Sequence, residues 1–305
     1  MLSPSLERVR DGCAQTLASK ELSAVEHVLR LVGISARECV REAAQISDDP
    51  DTRTRLHRIH DAVVHEAPAL PLGSFERFVL LHTIEQSLDR VAREPVALSV
   101  KRLWCDALLR FTDPRTTIRI SDQRFLALCK IASLRRFPAG QFDWEPSGLP
   151  RSWVPRVRPA SALLKVLSLL ALRWRGFTPA FYVHVTVTRP VHALLEREAE
   201  KAYHLMAQSM QLQPDIKGMI ASSWFHSPDT YQIAPHLSWL NRVFLENGGL
   251  VSTMGRASAD CGVFHRSPDR QQAFDEGRFK PTLGLIIWPR TEMLAWAARH
   301  PELSS

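Results

Sequence analysis

The stretch that decides the fold is KGMIASSWFHSPDTYQIAPHLSWLNRVFLENGG, residues 217–249. Its apolar start predicts a strand from Ile216 to Phe225, and its second half predicts a helix that ends at Asn247-Gly248. The loop between them contains aromatic and titratable side chains: Trp224, His226, Asp229 and Tyr231. Such side chains at the end of a strand are typical of sites in α/β proteins. The stretch therefore predicts both an α/β core and the position of its site.

Helix and strand patterns alternate through the rest of the C-terminal part. The predicted strands are 180–187, 216–225, 250–254 and 282–288, and the predicted helices are 160–174, 190–212, 235–246, a short one from 268, and one from 291 to about 300. The run TLGLIIW (282–288) has apolar residues on both faces of the predicted strand, which indicates a central strand. This order predicts an α/β or α+β fold with a mixed sheet covered by helices.

The N-terminal part shows helical periodicity only, which predicts a helical subdomain over residues 1–112, packed on an α/β domain over 113–305. Residues 137–159 contain five prolines together with Trp144 and Trp153. Because proline removes a backbone donor, no helix is expected there. We interpret this segment as an ordered covering loop.

Composition narrows the classes of protein and partner. The chain has 305 residues and a net charge of +7, and residues 110–175 carry thirteen Lys or Arg against four acids, a local charge of +9. These residues include no nucleic-acid-binding motif, so nucleic acid is not expected as a partner. The longest apolar run, 160–172, is interrupted by Lys165 and is too short to span a bilayer. Five scattered cysteines indicate buried thiols in a cytoplasmic protein.

The element order from Ala180 onward resembles the C-terminal half of the GNAT acyltransferases. In that family the pantetheine of the cofactor lies between two splayed parallel strands, and its pyrophosphate sits at a helix N-terminus. The resemblance implies acyl-CoA as cofactor and a small-molecule N-acyltransferase activity. It places the cofactor along four residues: Val185, Val187, Arg189 and Ala221. The family's glycine-rich phosphate loop is replaced here by TRPVHALLE (188–196), which has no glycine.

The candidate catalytic residues come from the same two strand ends. They are His184, Ser222, Ser223, His226, Asp229 and Tyr231. The resemblance implies that Ser222, Ser223 and Tyr231 lie near the acyl group. A histidine with a near-neutral pKa or a carboxylate suits the role of general base, which makes His226 and Asp229 candidates.

Two alternatives remain at this stage. The tetrapeptides HVTV (184–187) and HLSW (236–239) resemble the two-histidine phosphoesterases, in which each histidine contacts the reacting phosphate. The second copy departs from that pattern because Pro235 and the following residues favour a helix. The other alternative is a non-enzymatic accessory or interaction module, in which Trp-rich loops bind a protein partner. His57 and His60 share a helix face but lack further ligands, so no metal is expected.

Three segments resemble a family of bacterial proteins that carries no activity over to this chain. They are CKIASLRRFPAGQFDWEPSGLPRSW (129–153), ASSWFHSPDTYQIAPHLSWLNRVFLENGG (221–249) and TLGLIIWPR (282–290). The resemblance covers most of the chain after Ser121. It implies an intracellular bacterial origin and a shared α/β core.

Overall fold

The computed structural model describes residues 2–45, 50–113, 116, 123–186, 194–227, 230–257 and 268–304. The chain forms two compact units. The first unit comprises Met1–Ala139 with Thr186–Pro190, and the second comprises Gly140–Val185 with Val191–Ser305. The two units divide between Ala139 and Gly140. The predicted domain boundary near residue 112 stays a prediction.

Helices make up nearly all of the described part of the first unit. They are α1 (Ser3–Leu17), α2 (Lys20–Leu31), α3 (Ala36–Ala44), α4 (Pro50–Glu66), α5 (Ser74–Val91), α6 (Leu98–Leu109) and α7 (Gln123–Ala132), followed by the short strand β1 (Phe137–Ala139). Helix α5 is central, because α1, α2, α3 and α7 all pack against it and most of its residues are buried. Its apolar residues on all sides fit this central position.

The cysteines of the described residues are buried free thiols, as the sequence indicated: Cys13, Cys39, Cys105 and Cys129. Burial raises the pKa of the Cys105 thiol to about 11 and that of Cys39 to about 12. These groups therefore stay protonated near neutral pH and act as small apolar side chains.

The second unit contains a mixed sheet with helices on both faces. Its strands are β2 (Phe142–Ser147), β3 (Ala180–Val185), β4 (Gly218–Ser223), β5 (Leu250–Arg256) and β6 (Thr282–Pro289), in the spatial order β2-β3-β4-β6-β5. The β3–β4 pair is parallel and the others are antiparallel. The predicted mixed sheet covered by helices is confirmed, as is the central position of the TLGLIIW strand.

The helices of this unit follow the predicted order. They are α8 (Ala160–Ser168), continued by a π-helical segment (Leu169–Trp174), then α9 (Glu196–Gln211), α10 (Thr230–Ile233), α11 (Trp239–Glu246), α12 (Pro268–Asp275) and α13 (Arg290–Arg299). On one sheet face Ala180, Ile220 and Leu285 pack with residues of α8 and the π-helical segment. On the other face Tyr203, Phe244 and Trp296 surround Trp288.

The segment 137–159 differs from the predicted covering loop. It contains β1, β2 and a 3₁₀ helix at Arg151–Arg156, so the prediction that prolines exclude any helix there is wrong. Proline disfavours an α-helix interior, but its fixed φ is compatible with extended backbone and with short turns. Trp144 is fully buried against Phe181, with ring centroids 3.9 Å apart, which fixes β2 to the core.

No helix within the described ranges is both long and apolar enough to cross a membrane.

Gly284 sits where the chain after β4 crosses β6. A Cβ atom at this position would lie 2.3 Å from the backbone carbon of His226. We predict that Gly284→Ala lowers the free energy of unfolding of the second unit by about 3 kcal/mol, because backbone rather than a flexible side chain must move. Gly277→Ala is the matched control: its φ of +71° is strained, but open space surrounds it, so about 1 kcal/mol is expected.

Urea denaturation followed by tryptophan fluorescence measures both changes. Seven of the eight tryptophans belong to the second unit, so the signal reports mainly on that unit. Equal losses for the two variants would contradict the close contact at Gly284.

Candidate functional site

The parallel strands β3 and β4 pair over only part of their lengths. Their register joins Phe181 to Met219, Tyr182 to Ile220 and Val183 to Ala221, and the parallel ladder ends there. Continued by two residues, the same register would pair Val185 with Ser223, but these two strand ends do not pair. Each strand continues for two more residues, so the β3–β4 ladder stops before either strand ends. We call this unpaired carboxyl end of the β3–β4 pair the opening.

The outer neighbours hold the two strand ends in place. β2 pairs with β3 as far as Val185, opposite Phe142, and β6 pairs with β4 as far as Ser223, opposite Gly284. Successive residues of a strand direct their backbone N–H and C=O groups to opposite edges, so these outer ladders pair alternate residues of the two strand ends. Each strand end therefore keeps one paired edge.

His184 lies on β3 beside this opening. Its Nε2 is 3.4 Å from Oε1 of Glu145 on β2, and its ring lies 4.3 Å from that of Tyr182. The His184 side chain is 24% exposed, while Glu145 is 12% exposed. The pair is thus sheltered but reachable from solvent, which suits a group that exchanges protons with a ligand.

Glu145 and the buried Asp143 were missed as site residues by the sequence analysis. Both lie on β2, and Asp143 is directly opposite His184 in the antiparallel register. The signal was present in FDWE (142–145), where buried Phe142 and Trp144 alternate with the two acids. That alternation is typical of a strand and places both carboxylates on one face.

The candidate residues of β4 fall on both faces of the sheet. Ser222 follows Ile220 on the face of His184, and Ser223 shares the opposite face with Ala221, by the alternation of strand side chains. Both serines are half-buried, Ala221 is buried, and Val185 on β3 is 38% exposed. These four residues lie at the end of the β3–β4 ladder.

His226 is brought to the opposite face from His184 and is fully enclosed. Its Nδ1 lies 3.0 Å from Oδ1 of Asn241, and the Asn241 amide donates to the His226 carbonyl at 2.8 Å. Burial lowers the pKa of His226 to about 4, although the hydrogen bond that the ring Nδ1 donates to Asn241 opposes this shift. The ring is therefore neutral near pH 7, and its contacts fix the chain as it leaves β4.

Tyr231 follows in α10, close after the β4 end. Its hydroxyl is buried and makes no hydrogen bond within the described ranges. Burial raises the pKa of the phenol, so the group stays protonated and keeps its ability to donate. Nearby, the Thr230 hydroxyl donates to the Trp224 carbonyl, and the Ser227 and Thr282 hydroxyls hydrogen-bond each other.

Three predicted site residues, Asp229, Arg189 and Val187, lie outside the described residues. The helix expected from Pro190 begins at Glu196, and its first turn carries Glu196 and Glu198. Carboxylates are favourable at this end of a helix and disfavour a second anion there. The contact between the cofactor pyrophosphate and a helix N-terminus stays a prediction.

The second element of the two-histidine pattern does not lie on a strand. His236 is exposed in the 3₁₀ helix Pro235–Leu237. Within the part of the chain that the structure describes, no group of three or more His, Cys, Asp or Glu side chains could hold a metal ion.

Comparison with known proteins gives matches among solved structures alone. No family model matches the chain, and no curated protein matches it. A crystal structure of an acyltransferase in complex with decanoyl-CoA and teicoplanin aligns with a TM-score of 0.45 and 12% identity, covering 74% of this chain and 69% of that one. A decanoyl-CoA complex aligns with a TM-score of 0.43 and 11% identity, covering 70% and 66%. A complex with CoA and 10C-teicoplanin aligns with a TM-score of 0.41 and 12% identity, covering 74% and 69%. Similarity this low carries no functional argument.

The low pKa of His226 predicts a pH dependence of stability. An unfolded histidine titrates near 6.5, so below that pH the unfolded chain binds a proton that the folded chain rejects until about pH 4. The free energy of unfolding should therefore decrease as pH falls from about 6.5 to about 4, by up to about 3 kcal/mol, and this contribution should be constant above that window.

The measurement compares urea denaturation of the wild type and His226→Gln at several pH values between 4 and 8. The difference between the two proteins removes the contribution of the other histidines. A difference in the free energy of unfolding that does not change with pH would show that folding leaves the pKa of His226 unchanged.

Proposed function

We propose that the second unit is an acyltransferase that moves an acyl group from an acyl-CoA thioester to the amino group of a small molecule. The observation that supports this proposal is the end of the β3–β4 ladder at Val183 and Ala221, two residues before either strand ends. The GNAT resemblance requires such an opening for the pantetheine of the cofactor, and this opening is formed by the two strands that the resemblance selected.

Pantetheine suits this opening because it is a narrow, extended chain that contains amide groups. An extended chain can add to the backbone of a strand and form hydrogen bonds of the kind found in sheets. The half-buried Ser222 and Ser223 line one side, and Val185 lines the other. Ala221, the last β4 residue of the parallel ladder, has a small side chain that leaves room at the closed end of the opening.

His184 is the proposed general base. The amine nitrogen attacks the thioester carbonyl carbon, the C–S bond breaks, and the amine proton passes to the ring of His184. Glu145 is the proposed positioning residue, because its carboxylate lies against the ring Nε2 and favours the protonated ring that forms. The reaction leaves an amide and CoA as a thiolate, which still needs a proton.

Tyr231 is the proposed donor of that proton. Its hydroxyl is protonated, buried and without a hydrogen-bond partner within the described residues, so it is available to a ligand group. Ser222 or Ser223 would donate a hydrogen bond to the thioester oxygen as negative charge develops there. Arg189 stays the candidate contact for the cofactor phosphates, and His226 and Asp229 stay candidates for a second proton-transfer role.

A bulky side chain at the opening should block cofactor binding. We predict that Val185→Trp weakens the binding of CoA and acyl-CoA at least about tenfold, because an indole at the exposed end of β3 would occupy the opening. Isothermal titration calorimetry with CoA measures the change. Val64→Trp is the control, since Val64 is also an exposed valine but lies on α4 in the first unit.

The control should bind CoA like the wild type, and both variants should melt within a few degrees of it. Wild type that binds no CoA, or Val185→Trp that binds normally, would remove the support for a cofactor site between β3 and β4.

Loss of the base should affect the chemistry rather than binding. We predict that His184→Gln slows acyl transfer by about 100-fold or more and leaves the dissociation constant for CoA within about twofold. Thiol release from short-chain and long-chain acyl-CoAs, in the presence of a panel of primary amines, measures transfer.

His236→Gln is the matched control, because His236 is exposed on a 3₁₀ helix and has no role in this mechanism. An equal loss in His236→Gln would show that the loss in His184→Gln is not specific to the proposed base. Unchanged transfer in His184→Gln would show that another group is the base.

A further inference from the structure

We propose that the outer face of α8 and the π-helical segment after it bind the surface of an anionic phospholipid membrane. This inference is independent of the proposed acyl transfer. The surface is called the α8 face and is defined by Leu164, Leu167 and Leu172 with the exposed Lys and Arg residues of segment 151–175.

Three leucine side chains of the α8 face are exposed. Leu164 is 67% exposed, Leu167 43% and Leu172 74%. Among the large apolar side chains exposed in the described ranges, no other three fall within nine residues of each other. The opposite side of the same helical segment is in the core, where Val166, Leu169 and Trp174 are buried. The exposed leucines therefore form a second apolar surface on a helical segment that already has one.

The π-helical geometry brings these leucines together. Leu164 and Leu167 are three residues apart in α8, which places them on one side of the helix. In a π-helix each turn closes from residue i to i+5, so the turn contains more residues than in an α-helix. Because of the wider turn over Leu169–Trp174, Leu172 extends from the helix axis in nearly the same direction as Leu164.

Basic residues surround the leucines, and segment 151–175 contains no Asp or Glu. The six basic residues of this segment are all exposed: Arg151, Arg156, Arg158, Lys165, Arg173 and Arg175. Glu292 of α13 is an acidic side chain that reaches this surface, and it is paired with Arg173 at 2.7 Å. Segment 151–175 together with Glu292 therefore carries a net charge of +5.

A hollow of about 390 Å³ lies beside Leu164. Its lining includes apolar side chains and the cations Lys165 and Arg173, and Arg173 is paired with Glu292. A hollow with apolar walls and cations at its side matches a lipid, whose phosphate is anionic and whose chains are apolar.

This combination selects a membrane over other occupants. Leucines among Lys and Arg insert their apolar ends at the boundary of head groups and acyl chains, while the cations contact anionic lipid. A nucleic acid would use the cations but has no use for exposed leucines. The charge of the α8 face is complementary to the negative surface of a membrane.

Sedimentation with lipid vesicles tests the proposal on the full chain. The vesicles are pure phosphatidylcholine, or phosphatidylcholine with about one-third phosphatidylglycerol, at low and high salt. We expect binding to the anionic vesicles, little binding to the neutral ones, and weaker binding at high salt. No binding to anionic vesicles would overturn the proposal.

Paired substitutions locate the contact. Leu164→Ser with Leu172→Ser should weaken vesicle binding at least about tenfold, because the inserted apolar area is lost. Leu31→Ser with Leu212→Ser is the matched control, since these leucines are 66% and 54% exposed elsewhere. Lys165→Glu should also weaken binding, and Lys280→Glu, at another exposed lysine, should not.

Equal loss in test and control variants would overturn the α8 face as the contact. Light scattering without vesicles distinguishes self-association: an oligomer that Leu164→Ser with Leu172→Ser dissociates, in a protein that binds no vesicles, would assign the surface to a second copy of the chain instead.

Discussion

The antiparallel pairing of β4 with β6 is the interaction on which the second unit depends. It runs from Gly218 opposite Pro289 to Ser223 opposite Gly284, along the whole of β4. Because β6 pairs with β4 along its whole length, β4 keeps one paired edge after its ladder with β3 ends at Ala221. The lack of a side chain at Gly284 then lets the His226 backbone cross directly over β6. The opening between β3 and β4 and the turn after β4 both depend on this one ladder.

The same residue type has two environments at this end of the sheet. His184 is partly exposed and faces the carboxylate of Glu145, whereas His226 is enclosed and bonded to the neutral amide of Asn241. Burial without a charged partner disfavours the imidazolium, and a carboxylate favours it. The sequence alone does not distinguish these two histidines, because their burial and their partners depend on the sheet face that each side chain occupies.

Local sequence patterns predicted the strands and helices whose apolar residues recur at the spacing of that type of element. The run AFYVHVTV predicted β3, TLGLIIW predicted β6 as a central strand, and the element order predicted the mixed sheet covered by helices. FDWE was missed because neighbouring prolines outweighed a four-residue alternation. The opening between β3 and β4 was expected only through a family resemblance, since strand pairing joins residues 38 positions apart and leaves no local signal.

The π-helical segment after α8 makes this helix tolerant of a change in chain length at one place. A wide turn of this kind holds one residue more than the α-helix around it. Deleting a single residue from Leu169–Trp174 would let a continuous α-helix form, and the side chains after the turn would keep about the same directions. The same deletion within α8 itself would rotate every later side chain by about 100° relative to the helix before it, so Leu172 would turn away from Leu164. A one-residue deletion would thus be absorbed in one half of this helical segment and would separate its surface residues in the other.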